Sequence, residues 1–335
     1  MKPFKYLILS ALFLATSLVH AQDYEFKVVA SHGQVHKANS NSRLWAGVQL
    51  SRKDEVVVGT ASYLGLVHKS GKTIEIKSPG TYSIAELSAK VGKSQSSTTS
   101  KYVNYVVGEM AKAEKQDINT NHRRYMDITG SVQRALLGKV AAVLPEAVVL
   151  YEPKLYLELF ATDAKTKYKG YKVEIKTLFD AESESSNALK VFVIEGDKGE
   201  IDLSFLREEG LREELGLFQD EPFMMTITPI EKDSKDSKEN SASLGGASMY
   251  SLRLLAPGDK LYEEVSQELG NESVETAVDY LLKAAYFEDK GLFADALRCY
   301  NKAIELAPEV EAFRSAKVDF VARHQKEIMR ESAQK

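Results

Sequence analysis

The hydrophobic and polar positions of the chain fall into three textures. Residues 24–87 alternate in short runs, and 25–30, 55–58, 63–68, 73–77 and 81–84 read as strands separated by turn residues. Ser70-Gly71 forms the tip of a hairpin signal, and Pro79-Gly80 marks the next turn. Helical spacing is scarce in this part, so a small all-β unit is expected over 22–89. From 147 a second set of strand-like runs begins, at 147–151, 155–161, 171–179, 189–194, 200–203, 223–229 and 250–255. Its alternation is cleanest where Tyr171, Val173, Ile175 and Thr177 oppose Lys172, Glu174 and Lys176. The third texture is helical and fills 257–335.

In that last part 258–269 is amphipathic, with Leu261, Val265 and Leu269 four apart and Gly270 as its stop. Two antiparallel helices follow over 279–308, the first capped by Ser273, and 311–329 forms a final capping helix. Small Ala284, Ala296 and Ala303 let the pair approach closely, while Phe287 and Tyr300 fill the gaps. Gly291 permits the turn, and Pro308 stops the second helix.

The connecting segments read differently. Residues 90–100 are polar and Ser-rich, the composition of a loop or linker. Helical spacing returns over 101–115 in Tyr102, Val103, Val106, Val107, Met110 and Ala111, with Ser100 or Thr99 as cap. That helix packs on a neighbouring domain or meets a partner helix. Residues 116–127 are polar and irregular, 203–218 hold a short acidic helix capped by Ser204, and 232–246 form a charged loop.

Three resemblances refine this layout. Leu44-Trp45-Ala46-Gly47-Val48-Gln49-Leu50, Asp54-Glu55-Val56-Val57-Val58-Gly59, Ser62-Tyr63-Leu64-Gly65-Leu66-Val67 and Gly71-Lys72-Thr73-Ile74-Glu75-Ile76 resemble a FecR-type β domain. That family implies an extracytoplasmic β module, without its membrane span or cytoplasmic arm. The seven runs over 147–256 suit an immunoglobulin-like or fibronectin type III-like sandwich, and 168–179 resembles a strand of such adhesive modules. Tyr280, Ala284, Phe287, Gly291, Ala296, Tyr300, Ala303 and Pro308 fall at the offsets of a tetratricopeptide repeat, with Lys283 at a position usually apolar. The resemblance implies protein or peptide binding. One repeat alone leaves apolar surface uncovered, to be met by the sandwich, by a second copy or by a partner.

At 335 residues the chain has room for two or three domains, and its 27% charged residues are ordinary for a globular protein. Residues 1–21 have the form of a secretory signal peptide: Lys2 and Lys5, a short apolar run, then Val19-His20-Ala21 before Gln22. Without Lys2 and Lys5 there remain 42 basic against 48 acidic residues, a balance that argues against nucleic acid as partner. No transmembrane span is expected after leader cleavage. Cys299 is the only cysteine, so it reads as a small packed hydrophobe.

Several chemical motifs dissolve on inspection. Ser70-Gly71-Lys72-Thr73 resembles the tail of a phosphate loop but lies in a hairpin. His32 and His36 lack a third ligand of matching spacing, and His122-Arg123-Arg124 lacks an aromatic ladder. Glu208-Glu209 and Glu213-Glu214 read as a solvated helix face.

The sequence therefore implies a multidomain protein, mainly β with an α-helical C-terminus, built as 1–21 leader, 22–89 β domain, 90–146 linker with helix, 147–256 sandwich and 257–335 helical domain. The function implied is a non-catalytic interaction or scaffold protein, exported to the periplasm or secreted, binding a protein or peptide through the helical module. No cofactor or metal is expected, and homo-oligomerisation stays open. A periplasmic sensor and a surface- or glycan-binding adhesin are the alternatives.

Overall fold

The computed structural model describes residues 24–91, 97–116, 140–161, 166–178, 188–230, 247–270 and 276–324. The expected leader, 117–127 with His122-Arg123-Arg124, the expected 232–246 loop, Phe179, Ser273 and the end of the helix expected at 311–329 lie outside those residues. Sheets occupy the N-terminal and middle parts and a run of helices closes the described chain, with strand and helix taking about 35% and 34% of the described residues.

The first part holds two antiparallel sheets. One runs β3 (Gln49–Ser51), β1 (Tyr24–His32), β5 (Tyr63–His68), β6 (Thr73–Ile76); the other runs β2 (Val35–Lys37), β4 (Glu55–Val58), β7 (Gly80–Ser83). Phe26, Val28, Leu50, Val56, Leu64 and Leu66 form their common core. The strand expected at 81–84 ends at Ser83, and Ile84 opens helix α1 (Ile84–Val91). Ile84, Leu87 and Val91, three and four apart, turn one face into that core. The Ser-rich break is also shorter than expected. Helix α2 (Ser97–Ala113) starts before Thr99 and Ser100, because Ser and Thr disfavour a helix only weakly once its apolar face is packed.

Strand β5 is buried at all six positions. Leu64 and Leu66 face the N-terminal core, whereas Tyr63 and Val67 join Val29 and Ala30 on the opposite face. That second face meets Val103, Val106 and Met110 of α2 and the C-terminal helices in one continuous core.

The middle part adds β8 (Val140–Ala142), β9 (Ala147–Leu150), β10 (Lys154–Ala161), β11 (Gly170–Lys176), β12 (Lys190–Glu195), β13 (Lys198–Asp202), β14 (Phe223–Ile230) and β15 (Ser248–Leu254). The seven expected strands are present with small boundary shifts, and β8 is additional. They form the sheets β13-β10-β8 and β12-β11-β14-β15-β9, with β15 and β9 parallel and the other pairs antiparallel. Leu155, Leu157, Val173, Ile175, Phe223, Met225 and Leu252 contribute to the core the two sheets share. The acidic segment is not one capped helix. A 3-10 turn (Ser204–Arg207) precedes a one-turn helix, α3 (Leu211–Glu214), and Gly210 at φ +84 separates them. Ser204 caps neither, because its N–H and its hydroxyl both donate to Asp202.

The closing helices are α4 (Lys260–Leu269), α5 (Ala277–Asp289), α6 (Phe293–Leu306) and α7 (Glu311–Arg323). The cap of α5 is Thr276, in place of Ser273: its hydroxyl accepts from Asp279 N–H at 3.0 Å, and the Asp279 carboxylate accepts from Thr276 N–H at 3.0 Å. No helix among the described residues is long and apolar enough to cross a membrane.

Gly65 sits where α5 crosses β5. A Cβ there would lie 2.7 Å from Val278 Cγ2 and 3.1 Å from the Tyr63 ring, so only glycine admits the helix at this separation. Gly65→Ala is expected to cost about 1–3 kcal/mol in urea unfolding through overpacking. An unchanged midpoint would mean that α5 is not seated on β5.

Candidate functional site

The helical pair is built as its residue types require. Ala284, Ala296 and Ala303 are fully buried, so α5 and α6 meet with little side chain between them. Phe287 packs beside Tyr151, ring centroids 6.1 Å apart, and Tyr300 lies 5.0 Å from Phe320 of α7. Gly291, at φ +72, turns the chain so that Leu292 N–H reaches the Phe287 carbonyl at 2.9 Å. Tyr280 is partly buried against the same core, and Pro308 is exposed just beyond α6. Burial pushes the Cys299 thiol up to about 12, which leaves it unreactive.

What surrounds the pair was not legible from spacing. Helix α6 is buried on nearly every side, including Asp295, Arg298 and Asn301. Carboxylates make the joints. At the start of α5, Glu75 of β6 accepts from Ala277 N–H at 2.6 Å and from the Tyr63 hydroxyl at 2.7 Å. A carboxylate on a helix N-terminus satisfies free N–H groups and opposes the positive end of the helix dipole. Thr73, beside it in β6, donates to Asp279 at 2.6 Å. Burial, with the Glu75 charge second, raises the Tyr63 hydroxyl far above its ordinary value and keeps it a donor.

The opposite side of the pair is fixed to the middle sheets. Asp295, with no exposed surface, accepts from Tyr151 N–H at 2.8 Å and Glu152 N–H at 3.0 Å in the turn between β9 and β10. Glu152 then pairs with Lys283 of α5 and Arg298 of α6, and Arg298 also faces Glu200 of β13 at 3.7 Å. Lys283, the residue at odds with the expected repeat pattern, is thus the α5 half of this joint. From α7, Lys317 reaches Glu158 of β10 at 2.5 Å and Asn301 of α6 at 2.9 Å, all three buried. Burial lowers the Lys317 pKa while Glu158 opposes the shift.

Helix α2 closes the ring. Its Tyr102 donates to Asp289 at 2.8 Å and its Tyr105 to Glu288 at 3.1 Å, both at the end of α5. Near its own end, Glu114 accepts from Ala46 N–H at 2.9 Å, and burial raises that carboxyl. The alternatives left open for α2 thus resolve toward packing within the chain.

The remaining motifs fall elsewhere. Ser70-Gly71-Lys72-Thr73 is the β5–β6 hairpin, with Gly71 at φ +90. Beside it, Glu25 accepts from Ser88 of α1 at 2.6 Å and Lys69 at 3.0 Å and lies 3.3 Å from His68. The Ser88 hydroxyl and then Lys69 are the main causes that hold the Glu25 carboxyl down at about 2, so this cluster pins α1 to the sheet. His32 is on β1 and His36 on β2, and the described residues contain no group of three or more His, Cys, Asp or Glu placed to hold a metal. Glu208, Glu209, Glu213 and Glu214 are exposed. No protein-family model matches the chain, and no curated protein matches it in sequence.

Burial raises Asp295 to about 8 against the pull of the Tyr151 N–H, Lys283 and Arg207. A carboxyl whose folded pKa lies above its unfolded value of about 3.9 holds its proton more tightly when folded. Stability should therefore fall as pH rises from about 4 to 8, by at least about 1 kcal/mol. Urea unfolding across that range is expected to show the slope in the native chain and a flatter one in Asp295→Asn. Equal slopes would mean that Asp295 is charged throughout.

Proposed function

We propose that the chain is a non-catalytic interaction or scaffold protein of a bacterial cell envelope, exported behind its leader to the periplasm or beyond. In this reading 22–89 is a FecR-like β module, 147–256 an immunoglobulin- or fibronectin type III-like module and 257–335 a tetratricopeptide-like helical module. Its ligand is a protein or peptide. The observation that carries the reading is the double anchoring of α5 and α6, by Glu75 to the first sheets and by Asp295 and Glu152 to the middle ones. Helices tied to two β units at once hold them in fixed relation, as a scaffold requires.

The same anchoring moves the proposed contact. The apolar faces of α5 and α6 lie against the chain's own residues, so the partner reads the outer rims of the helices together with the β units they join. The test is crosslinking and pull-down from envelope extracts, using the mature chain and a folded Lys283→Ala/Arg298→Ala variant. A defined partner is expected with the native chain, and capture at least about tenfold weaker with the variant. Equal capture by both would place the contact on one β unit and favour the sensor or the adhesin. No capture by either would overturn the reading.

A further inference from the structure

Among the described residues, strand β12 is the outermost strand of the five-stranded sheet and pairs with β11 on one side only. The ladder fixes which backbone groups face the open side. Gly196 N–H bonds the Lys169 carbonyl in the register of the β11–β12 pairing. By strict alternation, Lys190, Phe192 and Ile194 turn their N–H and C=O groups to β11, while Val191, Val193 and Glu195 turn theirs outward. Among the described residues no hydrogen bond to those outward groups is made.

Open edges are ordinarily blunted by proline, by a charge in the strand centre or by a covering segment. Here Val191, Phe192, Val193 and Ile194 form an unbroken apolar run along the edge, with Val191 50% and Val193 65% exposed. Charge appears only at the ends, as Lys190 and Glu195.

We propose that this edge is a homodimer interface in which the β12 strands of two copies pair antiparallel about a two-fold axis at Phe192, joining two five-stranded sheets into one. A two-fold contact requires a surface complementary to itself, and this edge has that property in three respects. With Phe192 on the axis, Val191 stands opposite Val193 of the partner subunit, so the outward N–H and C=O groups of both valines satisfy one another. The valines of both copies then form one apolar cluster on the outer face, with the two Phe192 side chains adjacent on the inner face. Antiparallel alignment also keeps the two Lys190 side chains apart and the two Glu195 side chains apart, whereas parallel in-register alignment would set like charges together. The palindromic Val191-Phe192-Val193 about the axis and the closed two-fold select a second copy over an arbitrary extended peptide. The inference stands apart from the scaffold reading, since it needs no foreign partner.

Sedimentation velocity on the mature chain over a wide concentration range tests it, with Val193→Pro and Val193→Lys beside the native sequence. The Val193 N–H points away from β11, so proline removes an outward donor and no ladder bond. Lysine puts a charge at the centre of the valine cluster by a second route, should proline disturb the strand. Circular dichroism and a thermal midpoint near the native one establish that each variant is folded. The expected result is a concentration-dependent dimer whose dissociation constant rises at least about tenfold in either folded variant. A native chain that stays monomeric, or a dimer equally strong in both variants, would overturn the proposal. A monomer that captures another protein through Val193 would also overturn it and assign the edge to a foreign strand.

Discussion

The carboxylate of Glu75 sits on the first N–H group of a helix that lies 202 residues further along the chain. That contact, with the buried Asp295 joint on the other side of the helical pair, closes the chain on itself. Each joint works in the same way. A helix or turn brings free backbone N–H groups into a place without water, where leaving them unpaired would cost about 1–3 kcal/mol each. The carboxyl oxygens of a distant side chain accept from them. Because such a group needs its donors in one geometry, the joints fix orientation as well as contact, which packed alanines and leucines alone do less strictly.

Their net contribution to stability is a separate matter. Taking Glu158 and Lys317 out of water costs several kcal/mol per charge, which their pairing roughly offsets, while Asp295 avoids that cost by keeping its proton. The favourable free energy of docking comes from the continuous apolar core beneath, which runs from Val29 and Tyr63 through Val103 and Met110 to Phe287, Phe313 and Phe320. The charged joints select one docking of that apolar surface from among many that would bury similar area. This division suits the proposed role, since a scaffold depends on the relation of its parts more than on their separate stabilities.

Much of this was present in the sequence, though not all of it in a form that periodicity reads. Period-two alternation located the strands of the middle sheets within a few residues, and Ala284, Ala296 and Ala303 marked the helix–helix contact. The burial of α6 was hidden because Asp295, Arg298 and Asn301, three apart, look like a solvated stripe on an amphipathic helix. The partners of Asp295 and Arg298, the turn at Tyr151 and Glu152 and the side chain of Glu200, lie in a different texture of the chain, and local spacing carries no long-range pairing. One signal did exist. Tyr63, Leu64, Leu66 and Val67 are bulky on both parities, as in a strand covered on two faces, and the reading of a small separate β domain gave the second face nothing to meet. Lys283 was a second, since a charge on the buried side of a helix between apolar neighbours calls for a counter-ion.

The central claim is that α5 and α6 belong to one body with the sheets on either side. Native-state hydrogen exchange on the intact chain tests it most directly, because it assigns an opening free energy to each element. The account predicts that the central amides of α5, α6, β5 and β14 exchange only through a shared opening at the global unfolding free energy. Exchange of α5 and α6 at a free energy well below that of both sheets would show a helical pair that opens alone, and would contradict it.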